Sequence, residues 1–195
     1  DHALPIPPGD LAGRWGCAYF EAIEGVNGTF RLLSEIEQDT LIETVAAISG
    51  RVITATPYIK RLSDYLARPP LLDEVPEVLS RRDLPLCIVS NADERELRGA
   101  VAHHGLAVRR IVTSESARSY KPDRHIFEDA LAATGWSADA VVHIGDSLHS
   151  DVGGARKLGI YTIWVNRAER MSDIGTDTPD ATWNDLRPLA ALREI

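Results

Sequence analysis

The feature that most restricts this chain is an alternation of short apolar runs with amphipathic stretches after the proline pair Pro69-Pro70. Runs at 86–89, 110–113, 141–144 and 160–165 read as strands, and the segments 94–104, 125–134 and 152–158 between them read as helices. Parallel strands need long crossovers, which helices supply. Gly135 and Gly159 stand where helix C-terminal caps belong. The pattern predicts an α/β fold, a Rossmann-like parallel sheet with helices on both faces.

Upstream of the prolines the pattern differs. Leu32, Leu33, Ile36, Leu41, Val45 and Ile48 recur at three- and four-residue steps within 11–66, which predicts helices. The Val52-Ile53-Thr54 run alone is ambiguous with a strand. The first ten residues hold three prolines and read as an extended lead-in. Proline pairs favour extended connections, so the chain divides into a small helical subdomain at 1–68 and an α/β core at 69–195. No residue of the helical part identifies itself as a specificity determinant.

Charge and cysteine content exclude several function classes. Acidic residues outnumber basic ones 29 to 21, a net charge of −8, which repels a nucleic-acid backbone at long range. Cys17 and Cys87 lack metal-ligand spacing and suggest no disulfide framework, which fits a reducing cytoplasm. No apolar stretch approaches the ~18 residues of a membrane span, and no signal-peptide pattern opens the chain. The expectation is a cytoplasmic protein with neither nucleic acid nor membrane as partner.

In parallel sheets, ligands gather beyond the carboxyl ends of the strands. The first run leads into Ser90-Asn91-Ala92-Asp93, where a hydroxyl and free backbone N–H groups at a helix start suit a phosphate-sized anion. Simple capping of the next helix is the plain alternative. Next comes Ser119-Tyr120-Lys121-Pro122-Asp123. Pro122 restricts Lys121 to extended backbone, aiming an ammonium that can neutralise a phosphoryl oxygen, unless it is an ordinary surface lysine. The third run ends in Gly145-Asp146, and Asp151 follows at a helix start. Two converging carboxylates suit Mg²⁺, a hard cation that prefers oxygen ligands, and Gly145 leaves room for a metal or phosphate. A turn residue and an N-cap are the plain readings of this pair.

These elements, in this order, resemble the haloacid dehalogenase superfamily over roughly 70–192. Its second motif is matched by Ile88-Val89-Ser90-Asn91, its third by Lys121-Pro122 and its fourth by Gly145-Asp146 with Asp151. The run Pro179-Asp180-Ala181-Thr182 is also similar, and the helical part resembles the cap of many members. The resemblance implies hydrolysis of a small phosphorylated metabolite through an aspartyl-phosphate. Ser90, the N–H groups of Asn91 and Ala92, and Lys121 would hold and neutralise the phosphoryl group, with Asp146 and Asp151 on Mg²⁺. Two other readings stay open, a metal-free 2-haloacid dehalogenase and a non-catalytic phosphate-binding relative.

One family element is absent. The first motif, an Asp-x-Asp pair ending an apolar strand, has no counterpart at Asp1, Asp10 or Asp39. In the family that strand is central, between those at 86–89 and 141–144. Without it, two rows of backbone groups lose partners at about 1–3 kcal/mol each, a sum that rivals the ~5–15 kcal/mol stability of a domain. The expectation is that the nucleophile strand lies upstream of Asp1. His103, His104, His143 and the four tryptophans read as surface or packing residues, and so does His149, with an approach to substrate from the loop between Asp146 and Asp151 as its alternative.

Overall fold

The structure is a computed structural model that describes residues 4–25, 29–80, 84–171 and 177–191. Asp1 and Leu192 lie outside the described residues. The helical part consists of α1 (Pro8–Glu24), α2 (Leu33–Ser49) and α3 (Thr56–Leu66). Pro8 opens α1, where its missing N–H is no loss. Leu41 and Val45 of α2 pack against Ala55 and Ile59, with Leu11 and Trp15 of α1 beside them. The ambiguous 52–54 run forms no strand. Val52 is exposed, and Ile53 packs on this apolar cluster.

A short helix α4 (Val75–Ser80), too brief to show a period, precedes β1 (Cys87–Ser90). Then follow α5 (Glu94–His103), β2 (Arg110–Thr113), α6 (Ser114–Ala117) and α7 (Arg124–Thr134). After β3 (Val142–Gly145), a π-helical turn (Leu148–Gly153) runs into α8 (Gly154–Arg156), so this helical segment starts four residues before the expected 152. The chain continues through β4 (Tyr161–Val165), β5 (Ala181–Trp183) and α9 (Arg187–Ala191). The three residues of β5 are too few to alternate, and pairing with β4 alone defines them as a strand. No helix among the described residues is long and apolar enough to cross a membrane.

All strand pairs are parallel, as expected, but they form two sheets rather than one. β1 pairs with β2, and β4 pairs with both β3 and β5. Among the described residues, β1 and β3 therefore each keep one edge without a strand. The interruption falls where the sequence placed the absent central strand. What joins the two halves is side-chain packing: Ile126 and Phe127 of α7 are buried with Val112 of β2, Ala155 of α8 and Ile160. A Cβ on Gly154 would stand 2.4 Å from the Phe127 ring, so only glycine lets α8 approach α7 this closely. Burying a side chain of that size contributes about 1.5–3 kcal/mol.

Candidate functional site

β1 delivers Ser90 to its carboxyl end, half-buried, and no described residue bonds its hydroxyl. The turn that follows departs from expectation. The Ala92 N–H, expected free for an anion, donates to the Ser90 carbonyl at 3.0 Å, because the chain tightens into a turn before α5 begins at Glu94. The Asn91 side chain is also engaged. Its Oδ1 accepts the Lys121 N–H at 2.7 Å and its Nδ2 donates to the Lys121 carbonyl at 3.1 Å. Asn91 thereby clips the Lys121 segment to the end of β1. The Lys121–Pro122 peptide is cis.

The Lys121 ammonium is not a surface group. Its side chain is 11% exposed; Nζ donates to the Val89 carbonyl at 3.1 Å and to Asp151 Oδ1 at 2.6 Å. It therefore spans from β1 to the turn beyond β3, across the break between the sheets. Asp151 is buried, and the same Oδ1 lies 3.0 Å from His143 Nε2 while Oδ2 accepts the Ser147 N–H at 3.1 Å. Burial alone would raise this carboxyl. The His143 hydrogen bond and the charges of Lys121 and His143 outweigh it and hold Asp151 well below the usual carboxylate range.

Gly145 has a different reason from the one expected. The space beside it is taken by the acid itself: a Cβ there would stand 2.2 Å from Asp151 Cγ. Asp146 is exposed, and its carbonyl accepts from Trp164 Nε1 at 3.1 Å and Arg170 Nη2 at 2.7 Å, which pins the backbone and leaves the carboxylate toward solvent. No group of three His, Cys, Asp or Glu side chains among the described residues is arranged to hold a metal. The available donors are the Asp146 carboxylate and the remaining lone pair on Asp151 Oδ2. Such a donor set fits Mg²⁺, which takes one or two carboxylates and fills its other positions with water and substrate phosphate.

On the other side of Ser90 lies a cavity of about 600 Å³, enclosed by α1, α2, α3 and the start of α5. Asp93, at the N-cap position of α5, turns its carboxylate to α2, accepting the N–H groups of Leu33 at 2.8 Å and Ser34 at 3.0 Å. This satisfies two of the donors that every helix N-terminus exposes. Tyr120 adds a second tie, donating from its hydroxyl to the Arg31 carbonyl at 3.0 Å and stacking on Phe30 at 5.2 Å. Glu37 on α2 lines the cavity, where burial, then the charges of Asp93 and Glu96, push its carboxyl up to about 7.

That shift sets a pH dependence. A carboxyl raised above its ordinary 4.5 contributes stability that is present below pH 4.5 and lost as pH rises through about 7. Thermal melts at pH 5 and pH 8 should show Glu37→Gln losing less stability over this interval than the wild type. Equal losses would disprove the assignment.

Sequence reasoning singled out Ser90, Asn91, Ala92, Lys121, Asp146 and Asp151, and the structure gathers them around the break between the sheets. It passed over His143, whose place two residues before Gly145 puts it on a strand with no signal beyond its residue type. Asp93 read as a cap for α5, and only the docked helices show that its partner is α2. His149 is exposed and lies 3.8 Å from Glu24, while His104 Nε2 meets the Pro69 carbonyl at 2.6 Å.

Comparison with known proteins identifies the family. The model of the haloacid dehalogenase-like hydrolases matches residues 18–159. The chain is 31% identical over 138 residues, 68% of its length, to the (S)-2-haloacid dehalogenase of Pseudomonas sp. (strain YL), of which it spans 59%. It is 30% identical over 185 residues, 91% of its length, to the phosphoserine phosphatase of Thermus thermophilus, of which it spans 70%. Among solved structures, the putative HAD-hydrolase YfnB from Bacillus subtilis bound to magnesium superposes with a TM-score of 0.79 at 20% identity, covering 96% of this chain and 83% of its own. With the parallel strands, the buried Lys121–Asp151 pair and the family match over most of its length, this chain belongs to the haloacid dehalogenase-like hydrolases.

Proposed function

We propose that this chain supplies the phosphate-holding and charge-balancing groups of a magnesium-dependent hydrolase of small phosphate monoesters, working in the cytoplasm, with its nucleophilic aspartate outside residues 1–195. The single observation that carries the reading is the buried Lys121 ammonium, held at 2.6 Å from Asp151 beside a strand end whose serine hydroxyl has no partner among the described residues. An aimed cation next to a free hydroxyl is suited to a dianionic phosphoryl group. Ser90 donates to a phosphoryl oxygen, and Lys121 balances charge on the phosphoryl group and on the attacking carboxylate. Attack by a carboxylate and later hydrolysis divide one difficult displacement into two. Asp146, with Asp151 through its free lone pair or a water, would hold Mg²⁺, which supplies Lewis-acid stabilisation of phosphoryl charge. Helices α1–α3 serve as the cap over this site.

The identity to the Pseudomonas enzyme favours a second reading, metal-free hydrolysis of a small haloacid. One assay separates the two. The complete native polypeptide is given phosphate monoesters and 2-haloacids, each with magnesium and with chelator. Phosphate release that needs magnesium and disappears in Asp146→Ala is expected. Halide release that survives the chelator would replace the phosphatase reading with the dehalogenase one.

A further inference from the structure

Hydrolysis as proposed above gives His143 no task, yet its side chain is only 14% exposed and lies 3.0 Å from the Asp151 carboxylate. Side chains alternate across a strand, so His143 and Gly145 share one face of β3. Gly145 leaves that face open to Asp151, whose Cγ would stand 2.2 Å from a Cβ there. His143, one step back along the same face, reaches the carboxylate with Nε2. Its ring meets Phe127 edge to face, with centroids 5.1 Å apart at 83°. Phe127 is itself buried in the cluster that joins the two sheets, and such a pairing holds the imidazole in one orientation.

A carboxylate accepts hydrogen bonds and cannot donate them, so the contact requires a proton on His143 Nε2. The neutral Nε2–H tautomer and the imidazolium both meet this requirement. Three donors then surround Asp151. His143 Nε2 and Lys121 Nζ, at 3.0 and 2.6 Å, take both lone pairs of Oδ1, and the Ser147 N–H, at 3.1 Å, takes one of Oδ2. They differ in rigidity. The Ser147 N–H belongs to the backbone and the imidazole is wedged against Phe127, whereas an ammonium ends a flexible four-carbon stem and follows the group it pairs with.

We propose that His143 is a positioning residue for the hydrolysis: its Nε2–H, together with the Ser147 N–H, fixes the plane of the Asp151 carboxylate. That plane sets where the Lys121 ammonium stands and which way the remaining Oδ2 lone pair faces. Two fixed donors, one on each oxygen, prevent rotation about the Cβ–Cγ bond. With the imidazole gone, Ser147 alone holds the carboxylate from the backbone side. The carboxylate then turns, and Lys121 turns with it, away from the Val89 carbonyl that it bonds at 3.1 Å. The assignment rests on the phosphatase reading for the chemistry that Lys121 and Asp151 serve. The hydrogen bond itself is independent of that reading.

The test uses the complete native polypeptide and two readouts. His143→Leu keeps an apolar side chain against Phe127 and removes the donor, and His143→Met is a second donor-free variant that adapts more easily to the space. His143→Gln restores an N–H at similar reach. With p-nitrophenyl phosphate and saturating magnesium, well below the melting temperatures, kcat of the donor-free variants should fall about 10–100-fold, the usual effect of losing a hydrogen bond behind a site carboxylate. KM should change little, and His143→Gln should recover most of kcat. A merely structural residue would lower the melting temperature and leave this kcat intact. The second readout is the long-range ¹H–¹⁵N spectrum of histidine-labelled wild type, with the His143 signals identified by their loss in His143→Gln; Nε2 should carry a proton. Wild-type kcat in a donor-free variant, no recovery with His143→Gln, or an unprotonated Nε2 overturns the proposal. A protonated Nε2 in a wild type that releases no phosphate would keep His143 as the donor to Asp151 and remove the phosphatase reading. Phosphate release with an unprotonated Nε2 would remove only the role of His143.

Discussion

Replacing Asp151 by alanine is expected to destabilise the fold by about 3–5 kcal/mol, the usual result of removing one partner from a buried ion pair. The variant leaves the Lys121 ammonium with the Val89 carbonyl alone and takes the acceptor from His143 Nε2 and the Ser147 N–H. It also opens a void beside Gly145, where the carboxylate now fills the space a Cβ would occupy. A pH series identifies the electrostatic part. The Asp151 carboxyl is depressed in the folded state, so its contribution is complete above the unfolded value of about 4 and declines as pH falls below it. Urea midpoints of the wild type should fall with acid through this window, and those of Asp151→Asn should fall less. Superposable acid profiles would show that the Lys121–Asp151 contact contributes little charge energy.

The second large effect concerns Lys121. Lys121→Met keeps most of the apolar stem and removes the ammonium. In the complete native polypeptide, kcat should drop by about 10²–10³-fold, as when one preorganised donor to a developing charge is lost. Its stability should fall less than that of Asp151→Ala, because the Asp151 carboxylate keeps His143 and the Ser147 N–H. Unchanged kcat would mean that the ammonium is only a structural counter-ion. A rise in KM alone would assign it to ground-state binding.

The two carboxyl groups with the clearest shifts move in opposite directions, and the cause lies in their neighbours. Asp151 faces an ammonium and an imidazole, whereas Glu37 faces two further carboxylates across an apolar space. Both are half or more removed from water. Burial favours the neutral acid in each case, and only Asp151 has cationic partners strong enough to reverse it.

Much of this protein follows from residue order alone. Apolar runs of four to six residues separated by amphipathic stretches specify parallel strands with helical crossovers, because such runs can bury both faces only under helices. The positions of Ser90 and Asp146 at the ends of those runs follow from the same periodicity, and so does the helical character of 11–66. Tertiary structure decided the rest. That β1 and β3 belong to separate sheets, that Asn91 clips Lys121, and that Asp93 serves α2 rather than its own helix all depend on contacts between segments 30 to 60 residues apart. The reason Gly145 must be glycine likewise appears only when the Asp151 carboxylate is placed against it. Local pattern encodes which face of an element is buried, whereas the partner of a buried polar group is chosen by packing, and no periodicity records that choice.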